Sequence, residues 1–260
     1  MIKEKRFSRI LELIKQEKLV TIQDLSKQLG VSYMTITRDF EDLEARGSLQ
    51  RIRGGAVSIV EPSEIVPRLS KLYDPQLDLN YTKKISIGRY AAENLINEGD
   101  YITIEAGSTA SSLVPFLHQT NLTILTNGLL TSMMVAPIIH NVTLICSGGI
   151  LIETGAFIGP QAEDFFSKYK VKKAFFGAEG LTVGDGFTDP TPLYTRLKHV
   201  MKQNAEKVIV MVDSSKIGVR SLVQVLSLED VDTIITDAGA PPEIVSVLQN
   251  SGVDIRIVPD

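Results

Sequence analysis

The sequence contains few of the residues that build disulfides, metal sites and aromatic cages. Its 260 residues include one Cys, three His and no Trp. A lone Cys146 cannot form an internal disulfide, which indicates a reducing, cytoplasmic location. Because His118, His140 and His199 lie far apart in the sequence, we expect no metal site.

Long apolar runs and nucleotide-binding signatures are also missing. Charged residues, Gly or Pro interrupt every candidate stretch before it reaches the roughly 18 residues of a spanning helix, so we expect no membrane association. The N-terminal segment carries acidic residues on an amphipathic helical pattern, which differs from a secretory leader. No G-x-G-x-x-G opens a helix and no Walker pattern occurs, which disfavours a nicotinamide enzyme. We therefore predict no cofactor.

Charge of one sign is not in excess overall, but it is unevenly distributed. The chain has 27 Lys and Arg against 31 Asp and Glu, a net charge of −4, which by itself argues against nucleic-acid binding. Residues 1–58 nevertheless carry 11 basic and 8 acidic residues, a net of +3, and the remaining 202 residues carry −7. A small basic segment joined to a larger acidic one predicts a nucleic-acid module attached to a second domain.

Three helical patterns fill the first segment. The first lies between Lys5 and Gln16. Thr21 is a suitable N-cap for the second, which Gly30 ends in the manner of an αL C-cap. Ser32 opens the third, which ends at Gly47. Two helices joined by such a short Gly-containing turn predict a helix-turn-helix.

A short β-hairpin is predicted over residues 49–57, where apolar and basic residues alternate around Gly54-Gly55. Arg51 and Arg53 lie two apart on one strand, so their side chains project from the same side. This arrangement suits a wing that contacts phosphates or the minor groove.

On the third helix, Ile36, Phe40 and Leu43 face the core and leave the opposite face to read base edges. The alternative is an ordinary three-helix bundle with solvated charges. We predict DNA contacts from Ser32, Tyr33, Met34, Thr35, Thr37, Arg38, Arg51 and Arg53.

The rest of the chain has an α/β pattern. Residues 58–80 contain three prolines and predict a linker with a short helix at Arg68–Leu72. Short apolar runs then alternate with helices, which predicts a mostly parallel sheet covered on both faces. The predicted strands are 101–104, 122–125, 142–145, 174–176, 208–212, 233–236 and 254–258. The predicted helices are 84–96, 109–117, 159–169, 193–204 and 243–250. The predicted division is a DNA-binding domain at 1–57, a linker at 58–80 and an α/β domain at 81–260.

Small, donor-rich turns follow three of these strands, at 105–109, 126–128 and 147–149. Ligands bind at the carboxyl ends of strands in open α/β sheets, and free N–H groups at a helix start suit a phosphate. After a further apolar run, Asp213 either contacts a sugar hydroxyl or caps the next element, while Lys216 is a candidate phosphate ligand. The predicted ligand-binding residues are Lys84, Glu105, Gly107, Ser108, Thr109, Thr126, Asn127, Gly148, Gly149, Lys198, Asp213 and Lys216.

The segment 31–56 resembles the N-terminal signature of the DeoR family of bacterial transcriptional regulators. The matching pattern is V-S-x-x-T-I-x-R-D-F-x-x-L-x-x-x-G-x-L-x-R-x-x-G-G-A. Further matches include Lys84, the 107–109 turn and Asp213-x-x-Lys216, so the resemblance spans nearly the whole chain. It implies a winged helix-turn-helix followed by an open-sheet α/β domain similar to ribose-5-phosphate isomerase folds. It also implies that this second domain senses a phosphorylated sugar or related metabolite, the effector.

The sequence departs from the family pattern at four positions. Thr37 stands where a second Arg is usual, and Glu105 where Asp is usual. Tyr194 and Arg196 occupy positions where acidic residues are common. These departures concern one operator contact and the hydroxyls or phosphates that the effector presents.

The predicted function is that of a cytoplasmic, non-enzymatic repressor of a carbohydrate-metabolism operon, released from its double-stranded DNA operator by a phosphorylated sugar. Self-association to a dimer or tetramer is expected because one winged helix reads only a short half-site. The alternative is a sugar-phosphate isomerase-like enzyme with a DNA-binding appendage, in which Glu105 or Asp213 acts as a base. The sequence leaves open the effector, the operator and the direction of regulation.

Overall fold

The computed structural model describes residues 3–17, 19–46, 48–52, 54–58, 80–139 and 142–259. The greater part of the predicted linker, with its helix at Arg68–Leu72, lies outside them, as do Gly47, Arg53 and His140. The chain divides into two compact units, Met1–Leu69 and Ser70–Asp260.

The N-terminal unit combines helices with a small antiparallel sheet. Its helices are α1 (Lys3–Glu17), α2 (Ile22–Leu29) and α3 (Tyr33–Ala45). Its strands are β1 (Leu19–Thr21), β2 (Leu49–Ile52) and β3 (Gly55–Ser58). The predicted hairpin is confirmed as β2 and β3, and β3 also pairs with β1. The sequence did not predict β1, because three residues are too few to establish a period.

The helix caps form as the sequence predicted. Thr21 lies in the extended region and its hydroxyl accepts the Asp24 N–H at 3.1 Å. Gly30 adopts the left-handed conformation with φ of 65°, which a residue with Cβ adopts only at a cost. Ser32 then caps α3 by accepting the Thr35 N–H at 3.2 Å. The short turn between α2 and α3 follows from these caps.

A buried ion pair joins α1 to α3. Arg6 donates through Nη2 to Asp39 Oδ1 at 2.8 Å and through Nε to Asp39 Oδ2. Asp39 is buried, and its hydrogen bond raises the pKa of the Arg6 guanidinium. This two-point contact fixes the orientation of α3 against α1, beside an apolar core that contains Ile36 and Phe40.

The C-terminal unit is built on a parallel sheet. The strands of this unit are β4 (Tyr101–Ile104), β5 (Leu122–Thr126), β6 (Val142–Cys146), β7 (Ile150–Leu151), β8 (Phe157–Ile158), β9 (Val171–Phe176), β10 (Gly180–Thr182), β11 (Gly186–Asp189), β12 (Ala205–Met211), β13 (Val223–Leu226), β14 (Thr233–Asp237) and β15 (Asp254–Val258). Seven of them form the parallel sheet, in the order β15-β14-β12-β9-β4-β5-β6. Its α-helices are α4 (Tyr81–Leu95), α5 (Ser108–Ser111), α6 (Leu129–Val135), α7 (Pro160–Ser167), α8 (Thr195–Gln203) and α9 (Pro242–Asn250).

Alternate residues of the central strands enter two different apolar clusters. Phe176 and Val210 belong to one cluster, whereas Phe175 and Ile209 belong to the other. Successive side chains on a strand point to opposite faces, so the sheet is buried on both sides. This confirms the predicted parallel, doubly covered sheet. No helix within the described ranges is long and apolar enough to cross a membrane.

Several elements differ from the prediction. The helix predicted at 109–117 is wrong as one element, because α5 has four residues and a 3-10 turn, Val114–Phe116, follows. Pro115 in that turn has no N–H to continue an α-helix. The predicted start at Leu193 lies in a 3-10 turn, Pro192–Tyr194, that precedes α8. Helix α6, the β7–β8 hairpin and the antiparallel sheet β10-β11-β13 were not predicted.

Candidate DNA-reading helix and ligand cavity

Helix α3 presents an exposed face opposite its buried one. Ile36 and Phe40 are fully buried, whereas Tyr33 and Met34 are 57% and 62% exposed. Arg38 is also exposed. The exposed Tyr33, Met34 and Arg38 form the DNA-reading face that the helical periodicity predicted.

The hydroxyl groups on this helix take part in its own structure. Ser32 Oγ lies 2.8 Å from Thr35 Oγ1. Thr37 Oγ1 donates to the Tyr33 carbonyl at 3.0 Å. Both threonines are half-buried. Each hydroxyl oxygen also has lone pairs that can accept, so these residues stiffen the first turn and can still contact DNA.

The structure describes one of the two predicted wing arginines. Arg51 lies against α3, with Nη1 3.2 Å from Glu41 Oε1 and 3.9 Å from Glu44 Oε2. Its backbone N–H donates to Glu44 at 2.9 Å. Two carboxylates on α3 therefore attract the guanidinium of Arg51, and its contact with DNA stays a prediction. Arg53 lies outside the described residues.

The C-terminal unit contains a polar cavity of about 260 Å³. It lies where β4, β9 and β12, three neighbours in the sheet, end. The lining residues are Lys84, Glu105, Ala106, Gly107, Ser108, Thr109, Thr154, Gly177, Ala178, Glu179, Asp189, Pro190, Tyr194, Lys198 and Lys216. This set includes seven of the twelve residues predicted to bind the ligand.

The lining contains two lysines, Lys84 and Lys216, and two hydroxyl residues, Ser108 and Thr109, which we call its lysine and hydroxyl part. Lys84 Nζ donates to Ser108 Oγ at 3.0 Å, and Thr109 is the next residue of α5. Lys216 Nζ lies 2.5 Å from Glu179 Oε2, whose side chain is 56% exposed. Because α5 has only four residues, its dipole contributes little to anion binding. Cationic and hydroxyl side chains therefore supply most of the attraction for an anion here.

The other part of the lining is a buried cluster of two carboxylates and one ammonium. Lys198 Nζ lies 2.7 Å from Asp189 Oδ2 and 3.8 Å from Glu105 Oε1. It also donates to the Gly177 carbonyl at 2.8 Å, and Gly177 N–H donates to Glu105 Oε2 at 3.3 Å. These contacts hold the ends of β4, β11 and α8 together.

Burial and charge set the protonation of this cluster. Burial raises the pKa of Glu105, and the Asp189 charge raises it further, against the attraction of Lys198. Burial works against the Lys198 ammonium, but Glu105 and Asp189 together raise its pKa above the usual value. One ammonium cannot balance two carboxylates, and it lies closer to Asp189. Glu105 therefore binds its proton more tightly than an exposed glutamate does.

Two predicted residues at the end of β5 support the cavity from outside. Thr126 Oγ1 donates to the Ile104 carbonyl at 2.7 Å and accepts the Gly128 N–H at 2.9 Å. Asn127 Oδ1 accepts the Ala106 N–H at 2.9 Å. Neither lines the cavity. Strand β5 is the neighbour of β4 in the sheet. The side chains of Thr126 and Asn127 hold the turn after β4, and that turn lines the cavity.

Three further predicted residues also lie outside the lining. Gly148 and Gly149 have φ of 62° and 112°, and a Cβ on Gly149 would lie 2.6 Å from the Ile158 carbonyl oxygen. The two glycines form the turn that leads into β7. Asp213 is fully buried and accepts the Ser215 N–H at 3.0 Å, which is the capping role. Each of the three residues has a structural role, and its contact with the ligand stays a prediction.

The sequence reasoning did not assign Thr154, Glu179 or Asp189 to the site. Asp189 ends β11, a short antiparallel strand whose position in the fold no periodicity revealed. Thr154 lies in the turn between β7 and β8. The Gly184-Asp185-Gly186 segment was a turn signal that would have pointed to β11. Among the described residues, no group of His, Cys, Asp or Glu could hold a metal ion.

Comparison with known proteins identifies both units. Residues 6–61 match the DeoR-like helix-turn-helix domain, and residues 79–238 match the DeoR C-terminal sensor domain. The chain is 32% identical over 261 residues to the uncharacterized HTH-type transcriptional regulator YulB of Bacillus subtilis, covering 100% of this chain and 98% of that one. It is 29% identical to the HTH-type transcriptional repressor GlcR of the same organism, covering 99% and 97%.

Among solved structures, ribose 5-phosphate isomerase A from Methanocaldococcus jannaschii is 19% identical, with a TM-score of 0.39 over 53% of this chain and 55% of that one. The match to a helix-turn-helix domain agrees with the exposed face of α3, and the match to a sensor domain covers the α/β unit. The chain belongs to the DeoR family of DNA-binding transcriptional regulators.

Proposed function

We propose that this regulator represses a carbohydrate-metabolism operon and leaves its operator when a phosphorylated sugar or related metabolite binds the cavity. The observation that carries the proposal is the composition of that cavity. Three lysines, three acidic residues and two small hydroxyl residues of the 107–109 turn line about 260 Å³. Such a lining suits a small ligand that carries both an anion and several hydroxyls.

The phosphate is assigned to the lysine and hydroxyl part of the lining. Lys84 and Ser108 are already within hydrogen-bond distance, and Thr109 adds a second hydroxyl. Lys216 is held by the largely exposed Glu179. A bound phosphate offers Lys216 a more highly charged partner, so it competes with Glu179 for the ammonium.

The hydroxyls of the ligand are assigned to Glu105 and Asp189. Carboxylates accept hydrogen bonds from sugar hydroxyls, and a protonated Glu105 also donates one. Both groups are buried beside Lys198, so few water molecules compete for them. The isomerase alternative makes Glu105 a base, and it predicts incorporation of solvent deuterium into a bound sugar phosphate. A regulator without catalysis predicts none.

Operator recognition is assigned to Tyr33, Met34 and Arg38, with Ser32, Thr35 and Thr37 beside them. Arg38 suits a guanine edge or a phosphate, and the two apolar tips suit thymine methyl groups. A relative that is named a transcriptional repressor supports repression over activation. We further propose a dimer or tetramer acting in the cytoplasm, because one recognition helix reads only a short half-site.

A thermal-shift screen against phosphorylated sugars and inositols tests the cavity assignment. A ligand at about 100 times its dissociation constant should add about 2.7 kcal/mol to the unfolding free energy. Lys216→Ala should lower the affinity for that ligand about 10- to 100-fold, as expected for the loss of a charged hydrogen bond. The matched control is Lys168→Ala, which removes a similar but exposed Lys–Asp pair away from the cavity. Stabilisation by a neutral sugar alone, with no phosphate active, would contradict the assignment.

Arg38→Ala separates the two functions of the chain. It should abolish sequence-specific operator binding, measured by fluorescence anisotropy, and leave the ligand-induced thermal shift unchanged. Unchanged operator affinity would show that α3 does not read DNA through this face.

A further inference from the structure

Two residues from separate elements contact each other in the wall of the cavity. Tyr194 ends the 3-10 turn that precedes α8, and Thr154 lies in the turn of the β7–β8 hairpin. The Tyr194 hydroxyl and Thr154 Oγ1 are 2.7 Å apart, and both residues line the cavity. Thr154 is exposed, so the pair lies between the cavity and solvent at this point.

The tyrosine ring is firmly placed. Tyr194 is 9% exposed and belongs to the larger apolar cluster of the unit. Burial raises the pKa of its phenol, and the charges of Glu105 and Asp189 contribute in the same direction. The hydroxyl is therefore protonated. Tyr194 lies one helical turn before Lys198, which places it on the side of the cavity where Lys198 contacts Asp189. Helix α8 starts at the next residue and carries Lys198, which fixes the same region.

The hairpin side of the pair is anchored by main-chain hydrogen bonds. Phe157 N–H donates to the Asn127 carbonyl at 2.7 Å, and Leu129 N–H donates to the Gly155 carbonyl at 2.9 Å. Asn127 also donates through Nδ2 to the Phe157 carbonyl at 3.2 Å. The turn that carries Thr154 is thus attached to the end of β5, and its distance from Tyr194 is fixed by the fold.

The phosphate assignment leaves this pair beside the hydroxylated end of the ligand. Lys84 and Ser108, which are assigned to the phosphate, contact each other. Tyr194 instead lies four residues before Lys198, whose ammonium is 2.7 Å from Asp189 Oδ2. A rigid aromatic ring at the carboxylate part of a small cavity limits how far a ligand extends beyond its hydroxyl contacts.

We propose that Tyr194, held by Thr154, is a specificity-determining residue that limits the length of the effector. The pair admits a compact sugar monophosphate and rejects effectors with a longer chain or a second phosphate at the far end. This inference rests on the proposed function, since it takes the ligand to be a phosphorylated sugar. The discrimination is steric, because the ring occupies the space that an extra carbon or phosphate requires.

Binding of a graded series of phosphates to the full-length protein tests the inference. The series is inorganic phosphate, glycerol 3-phosphate, ribose 5-phosphate, glucose 6-phosphate, sedoheptulose 7-phosphate and fructose 1,6-bisphosphate, measured by calorimetry. Tyr194→Ala should shift the affinity ratio of long to short sugar phosphates by about tenfold or more in favour of the long ones, because steric contacts of one carbon are worth that much. Inorganic phosphate, which does not reach the ring, should bind as in the wild type.

Two further variants keep the test informative if Tyr194→Ala does not fold. Thr154→Ala alters an exposed position, and it should give a smaller shift of the ratio in the same direction because the ring loses its tether. Tyr194→Phe keeps the ring but loses the same hydrogen bond, so it should give the small shift expected of Thr154→Ala. The matched control is Leu193→Ala, a change at the preceding, 56% exposed residue that does not line the cavity.

The outcomes distinguish the inference from the proposed function. If the wild type binds sugar phosphates but Tyr194→Ala and Thr154→Ala keep its order of preference, the length limit is wrong and the cavity assignment stands. If both variants lose inorganic phosphate and sugar phosphates in equal proportion, the pair only supports the fold, which also overturns the inference. If the wild type binds no phosphate, the proposed function fails and the length limit fails with it.

Discussion

At the scale of single residues, the Lys198 ammonium faces two carboxylates and neutralises one of them. Glu105 is the more distant partner, and burial raises its pKa. The native state therefore keeps a proton on Glu105 at a pH where the unfolded chain has lost it. The contribution of Glu105 to the unfolding free energy is then largest below its unfolded pKa of about 4.3, and it declines as pH rises toward the native value.

Glu105→Gln should remove this decline. Glutamine is close in shape and can accept the Gly177 N–H, so the variant should match the wild type near pH 4. At pH 7 it should be more stable, because the wild type has lost the proton and buries a charge that glutamine does not carry. Urea unfolding at both pH values measures the difference, with the exposed Glu93→Gln as control. A variant less stable than the wild type at pH 7 would mean that pairing with Lys198 outweighs burial and lowers the pKa of Glu105.

The residues of the cavity were predictable where they follow a strand of the parallel sheet. Glu105 and the 107–109 turn were found because ligands collect at the carboxyl ends of such strands. Thr126 and Gly149 follow the same rule but end strands further along the sheet order, and that order is not readable from one sequence. Asp189 and Thr154 come from short antiparallel elements that carry too few residues for a period.

At the scale of elements, the turn between α2 and α3 depends on the backbone of Gly30. Its φ of 65° lies in the left-handed region, and a Cβ there would meet no atom within 4 Å. The cost of a substitution is therefore conformational, without a clash. Gly30→Ala should destabilise the N-terminal unit by about 1 kcal/mol, whereas Gly30→Asn should cost less because Asn tolerates this region.

Hydrogen exchange of the α2 and α3 amides in the full chain measures that difference, and the C-terminal unit supplies the internal reference. Equal effects of Ala and Asn would point to a lost contact of Gly30 in place of the backbone explanation. Gly184→Ala is a suitable control, since Gly184 also has nothing within 4 Å and its φ is outside the left-handed region.

The elements that the sequence predicted well have strong local signals. Strands β4 and β15 have the predicted bounds, because each is a short run set off by polar or Gly-containing segments. The caps of α2 and α3 were predictable for the same reason. The single helix predicted at 109–117 is wrong because Pro115 has no N–H to continue it. The β10-β11-β13 sheet was missed because tertiary pairing, which single-sequence patterns do not report, stabilises it.

At the scale of the whole molecule, the net charge of −4 conceals a basic segment of +3 and an acidic remainder of −7. A charge of +3 supplies little non-specific attraction to DNA, and Arg51 is partly neutralised by Glu41 and Glu44. Two recognition helices joined in one oligomer would raise the operator affinity well beyond that of one. The acidic remainder leaves the anion site dependent on local lysines, which is why Lys216 is a sensitive test.

Regulation by the cavity requires that ligand and operator affect each other equally. If the effector lowers operator affinity by some factor, the operator must lower effector affinity by the same factor, because both quantities describe one thermodynamic cycle. A coupling of about 1–3 kcal/mol, or about 5- to 150-fold, is typical.

We expect the ratio of effector dissociation constants with and without saturating operator, measured by calorimetry, to equal the ratio of operator dissociation constants with and without effector, measured by anisotropy. Arg38→Ala should bring the first ratio to one and retain effector binding, because the variant forms no specific operator complex that could affect the effector. Effector binding that is unaffected by operator would show that the cavity does not control DNA binding, whatever ligand it holds.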